Sequence, residues 1–143
     1  MPYTAYVGVI LDLAVTIHGW ISALAPLDES RRRRVTRYAT AIADTLARAA
    51  EALYEIERQP DDRHAARRAA REFGRITGYV ENMVGVLEHH LDGRKLAGVK
   101  RRLERLDASA PRSDGLQTAA DRRIDRLIAA EGYFRALADG LEP

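Results

Sequence analysis

Apolar residues recur along the chain at alternating steps of three and four, the spacing that lines one face of an α-helix. The first such run goes from about Tyr3 to Ala25 and stops at Pro26, which cannot continue a helix. Tyr6, Ile10, Leu13, Ile17, Trp20 and Leu24 form its apolar stripe. A second stripe of mostly small residues carries Thr4, Gly8, Asp12, Thr16, Gly19 and Ala23, and would let another backbone approach closely. The next run begins at Asp28, a residue type suited to an N-cap, and ends near Arg58, before Gln59-Pro60. Its core face is Val35, Tyr38, Ile42, Leu46, Ala49, Leu53 and Ile56. A third run, capped by Asp61 or Asp62, carries Ala66, Ala69, Phe73, Ile76, Val80, Met83, Leu87 and Leu91 inward and stops at Gly93.

Gly74, Gly78 and Gly85 lie inside this third run, each at a cost of about 1 kcal/mol relative to alanine. Close helix crossing is the usual reason to keep such residues, and it is the expectation here. A shorter fourth run turns Leu96, Val99, Leu103 and Leu106 inward. After the loop-forming stretch from Ala108 to Gly115, a fifth carries Ala120, Ile124, Leu127, Phe134 and Leu137, and Gly140 closes it. No strand pattern or internal repeat occurs. The expected fold is an all-α, antiparallel helical bundle of about five helices, roughly 3–25, 28–58, 62–92, 94–107 and 116–139, in one domain covering 1–143.

Composition narrows the class of protein. With 46% hydrophobic and 31% charged residues, the chain is neither disordered nor a multi-span membrane protein. The absence of cysteine removes disulfides, thiolate metal sites and cysteine nucleophiles together, and fits a reducing cytoplasm, the expected location. A formal charge of +2 is modest for a dedicated nucleic-acid binder, although the pI is about 9.1. Nearly all the basic residues are arginine, alongside much alanine, which reads as a GC-rich genome.

The charge order suggests how the second and third helices pair. Arg31, Arg32, Arg33, Arg34 and Arg37 open the second, and Glu51, Glu55 and Glu57 close it. The third opens with Arg63, Arg67, Arg68, Arg71 and Arg75 and closes with Glu81, Glu88 and Asp92. Each is charged against its own dipole. An antiparallel hairpin relieves both by setting the basic end of each helix beside the acidic end of the other.

Candidate chemistry is sparse. The fourth helix gathers Arg94, Lys95, Lys100, Arg101, Arg102 and Arg105 with only Glu104 set among them, a candidate contact for an anion or a nucleic-acid backbone. No aromatic residue interleaves with them, so base stacking is not expected. Arg67, Arg71 and Arg75 make a second basic ridge, offset by the acids expected across the hairpin. Gly93-Arg-Lys-Leu-Ala-Gly98-Val-Lys100 imitates a phosphate loop, but no Ser or Thr follows the lysine and no strand precedes it.

Glu88-His89-His90-Leu91-Asp92 holds metal-capable groups, yet consecutive histidines diverge by about 100° on a helix and the paired Glu-x-x-His pattern is absent. No metal, cofactor or catalytic residue is therefore expected. The first helix is long enough to reach across a bilayer and is followed by arginines, but Asp12 near its middle costs about 2.5–3.5 kcal/mol in a membrane. No basic residue precedes its apolar run, as a secretory signal would require. A place inside the bundle, as a central helix, is the simpler expectation. Tyr6, Ile10, Leu13, Ile17, Trp20 and Leu24 are the candidate membrane or partner face.

The stretch Arg33-Arg-Val-Thr-Arg-Tyr-Ala-Thr-Ala-Ile-Ala-Asp-Thr-Leu46, with Ala49-Ala-Glu-Ala-Leu53 after it, resembles a poorly characterised bacterial helical domain found beside signalling or conflict-system modules. The apolar first helix followed by an amphipathic bundle is loosely similar to HeLo-type domains, whose N-terminal helix can act on membranes. These resemblances imply a helical bundle and assign no functional residue. The function expected first is a non-enzymatic module that self-associates or docks a protein partner, in bacterial defence or signalling. The alternatives are a small nucleoprotein subunit holding a nucleic-acid backbone on the fourth helix, and a membrane-acting effector using the first.

Overall fold

A computed structural model describes residues 2–20, 24, 26–88, 93–108 and 121–141, with side chains throughout except at 2–6, 93, 95–96, 103, 105–108 and 121–123. Five helices make up the described chain: α1 (Pro2–His18), α2 (Glu29–Arg58), α3 (Arg63–Leu87), α4 (Gly93–Ala108) and α5 (Asp121–Leu141). No strand occurs among the described residues. The protein is an all-α bundle.

Two aspartates start the long helices. The Asp28 side chain accepts from the Arg31 N–H at 2.8 Å, and Asp62 accepts from the Ala65 N–H at 3.0 Å. Each satisfies one of the donors a helix start leaves without an intrahelical partner. Val35, Ile42, Leu46, Ala49, Leu53 and Ile56 of α2 are buried, as are Ala66, Ala69, Phe73, Ile76, Val80, Met83 and Leu87 of α3, while Tyr38 is half-buried. The expected stripes of both helices face the core; Leu91 lies outside the described residues.

Helix α2 is the organising element, packed along α3 on one side and α5 on the other. It runs antiparallel to both. Arg48 meets Glu72 and Arg68 meets Glu55 across the first interface; across the second, Asp44 meets Arg135 while Tyr54 lines one groove with Ile128. Helix α1 packs against α5 and α4, and α4 also touches α3. The His18 and Tyr133 rings meet edge to face at 5.5 Å, and Gly8 lies opposite Arg126, so α1 and α5 run in the same direction. Helix α1 is therefore not the central axis expected of it. Its Ile10, Leu13 and Ile17 are buried, but Val15 and Gly19 are exposed.

One ion pair bears out the charge argument for the α2–α3 hairpin. Arg68, near the start of α3, pairs with Glu55, near the end of α2. At the other end further pairs form. Arg31 and Arg33 bind Asp28 at 3.1 Å and Glu29 at 2.6 Å on their own helix, while Glu88 takes Lys100 of α4 at 3.2 Å. Asp28 and Glu29 thus offset part of the arginine run at the start of α2.

Several boundaries differ from expectation. Helix α1 ends at His18 rather than near Ala25, in a turn where the Trp20 N–H donates to the Ile17 carbonyl at 3.0 Å. Glycine weakens a helix, and Gly19 stands at this point. Among the described residues no helix is long and apolar enough to cross a membrane. Gly93 opens α4 instead of closing α3, and Gly140 lies within α5, which runs on to Leu141. No described glycine takes a positive φ, so none acts as a left-handed helix stop. The loop expected from 108 to 115 lies, apart from Ala108 at the end of α4, outside the described residues, as do 116–120 of the expected fifth helix.

The glycines of α3 also depart from expectation. A methyl group added at Gly74, Gly78 or Gly85 would meet no atom within 4 Å, so no helix crosses closely there. Two positions in the small stripe of α1 meet arginine side chains: Arg126 lies over Gly8, and Arg102 pairs with Asp12.

Candidate interaction surfaces

The basic helix α4 is partly committed to the bundle. Arg102 donates from Nε to Asp12 Oδ2 of α1 at 2.9 Å and from Nη1 to the Gly98 carbonyl at 3.1 Å. A Cβ at Gly98 would lie 3.1 Å from the Arg102 Nη1, a tight approach that the end of the arginine would have to yield to slightly. Lys100 donates from Nζ to Glu88 Oε1 at 3.2 Å. Arg94 and Arg101 are exposed and pair with no acid among the described residues, while the side chains of Lys95 and Arg105 lie outside them. Of the six candidate cations, two thus tie α4 to α1 and α3, and two project outward. In the phosphate-loop imitation, the Gly98 carbonyl accepts from Arg102.

The basic ridge of α3 divides in the same way. Arg75 approaches Glu72 Oε1 at 3.6 Å, while Arg67 and Arg71 are exposed. Glu72 is the most enclosed carboxylate of the hairpin, its side chain 12% exposed, and it also accepts from Arg48 Nε at 3.1 Å. Arg48 in turn donates to the buried Thr45 hydroxyl at 3.1 Å, and that hydroxyl donates to the Ala41 carbonyl at 2.6 Å. This is a polar seam inside the α2–α3 interface, with every member partnered.

The apolar stripe of α1 belongs to the core. Ile10, Leu13, Ile17 and Leu24 are buried and Trp20 is half-buried against the same cluster; the Tyr6 side chain lies outside the described residues. A partner or membrane could reach these side chains only if α1 left the bundle. Glu88 is described at the end of α3, but His89, His90, Leu91 and Asp92 lie outside the described residues. Among the described residues no three His, Cys, Asp or Glu side chains come together as metal ligands.

The surface that pattern reading missed lies between α2 and α5. Tyr54 and Ile128 are 55% and 53% exposed. With Ala50 and Ile124 they line an open groove of about 430 Å³, rimmed by Glu51, Glu55 and Arg58. Tyr54 and Ile128 each follow a buried leucine, Leu53 and Leu127, by one position. That step turns a side chain by about 100° off the core stripe. Large apolar residues just outside a helix's core stripe were the signal available in the sequence.

Arg135 fixes the same two helices further along. It donates from Nε to Glu131 at 2.8 Å and reaches Asp44 of α2 at 3.1 Å. The hydrogen bond to Glu131 raises its pKa most, Asp44 adds to the effect, and desolvation opposes it, so the group stays cationic. Compared with known proteins, the chain matches no family model, no curated protein and no solved structure.

Proposed function

We propose that the protein is a non-enzymatic helical interaction module that acts by self-association. The observation that carries this reading is the α2–α5 groove, where two large apolar side chains stand exposed in the lining of one groove between two packed helices. Exposed apolar surface rimmed by charge is the usual form of a protein-docking site. The setting implied by the resemblance of Arg33 to Leu53 is bacterial signalling or defence.

Binding of a nucleic-acid backbone on α4 is the weaker reading. Lys100 and Arg102 already hold acids of the bundle, leaving Arg94 and Arg101 as the described outward charges. Membrane action is weaker still, because it would withdraw Leu13 and Ile17 from the core.

Size-exclusion chromatography with light scattering tests the proposal, on protein purified at low salt and followed at protein and nucleic-acid wavelengths. The expected species is a defined oligomer free of nucleic acid. A strict monomer overturns self-association. A species carrying nucleic acid that is lost as salt rises would replace it with the backbone-binding reading.

A further inference from the structure

The α2–α5 groove has a charge order that a copy of itself complements. Glu51, Tyr54 and Arg58 are all exposed and follow one another along one side of α2. Glu51 lies three residues before Tyr54 and Arg58 four after, or about 4.5 Å and about 6 Å along the helix axis. Acid, aromatic ring and base therefore stand in order, nearly evenly spaced. A two-fold axis through Tyr54, perpendicular to α2, maps that order onto its reverse.

From this we infer that two copies of the chain pair through this face, α2 against α2 and antiparallel, resting on the self-association proposed above. In that arrangement Glu51 of each copy meets the partner's Arg58, twice over. The two Tyr54 rings lie at the centre, each over the partner's groove of Ala50, Ile124 and Ile128. A parallel pairing would set Glu51 against Glu51 and Arg58 against Arg58, so the charges select the antiparallel one. An isologous contact of this kind closes at two copies and does not propagate. Glu55, also on the rim, is held by Arg68 across the hairpin and is not needed. Exposed ion pairs contribute little each. Affinity therefore comes from covering Tyr54 and Ile128, while the charges set orientation and register.

The test uses two single variants, Glu51→Arg and Arg58→Glu, alone and mixed. Each alone places two like-charge pairs in the dimer, and its self-association is expected to weaken by about tenfold. Mixed, the two variants restore both pairs, and native mass spectrometry should show a heterodimer in excess of either homodimer. Arg58→Glu also sets an acid at the end of α2, so far-UV circular dichroism of each variant must match the parent. A wild-type oligomer whose single variants associate unchanged, or whose mixture shows no preference for the heterodimer, overturns this surface and leaves self-association standing. A strictly monomeric wild type overturns both. A monomer that binds a different protein through Tyr54 would give the groove to another occupant and overturn the pairing.

Discussion

A glycine in a helix interior loses more backbone freedom on folding than alanine and leaves its peptide groups open to water. Gly74, Gly78 and Gly85 carry that cost in α3, and the space beside each is open. Replacing any one of them with alanine should raise the unfolding free energy by about 1 kcal/mol, measured by urea titration at unchanged m-value. The residue type announced the cost; it did not announce the neighbour. Close crossing and empty space look alike in a single sequence, and beside these three glycines the space is empty. Asp28 and Asp62 were legible as caps because an N-cap is a local device, set by a side chain three residues from the N–H it accepts. Tyr54 and Ile128 were not, because the core stripe records which side of a helix is buried and says little of how far the neighbouring helix covers its flank.

At the scale of elements, the α2–α3 hairpin holds two ion pairs of different character. Arg48–Glu72 sits in a polar seam with Thr45, with Glu72 enclosed, whereas both partners of Arg68–Glu55 are nearly half exposed. Double-mutant cycles to alanine should give Arg68–Glu55 a coupling of about 0.2–1 kcal/mol, and Arg48–Glu72 a larger one. Equal couplings would remove the seam from the account of register. Charge order made the antiparallel hairpin legible, since Arg68 and Glu55 pair as their positions imply. At the opposite end, Arg31 and Arg33 pair with Asp28 and Glu29, three and four residues away on their own helix. Gly93 and Gly140 do not end helices. A glycine stops a helix when it takes a left-handed conformation, and the described glycines do not.

At the scale of the whole molecule, periodicity sufficed for the fold class, because an all-α chain of strong helix formers with continuous apolar stripes has few other ways to bury them. The order of packing was less accessible. That α5 rather than α1 flanks α2 depends on contacts between residues far apart in sequence, such as Asp44 with Arg135. The candidate site inherits that difficulty, since Tyr54 and Ile128 become neighbours only once α2 and α5 are side by side. The basic helix was easy to see and easy to overvalue. Asp12, which takes Arg102, sits on the first helix, and nothing in the local pattern of α4 names it. The central claim is that the α2–α5 face joins copies of this chain. Sedimentation equilibrium over a range of concentrations tests it most directly, comparing the wild type with a Tyr54→Ser, Ile128→Ser double variant. Both side chains are more than half exposed, so the fold should survive their loss. The account predicts a wild-type mass approaching twice the 16.0 kDa of one chain and a variant that stays at one. A wild type that remains a single chain at every concentration, or a variant that associates as tightly as the wild type, would contradict it.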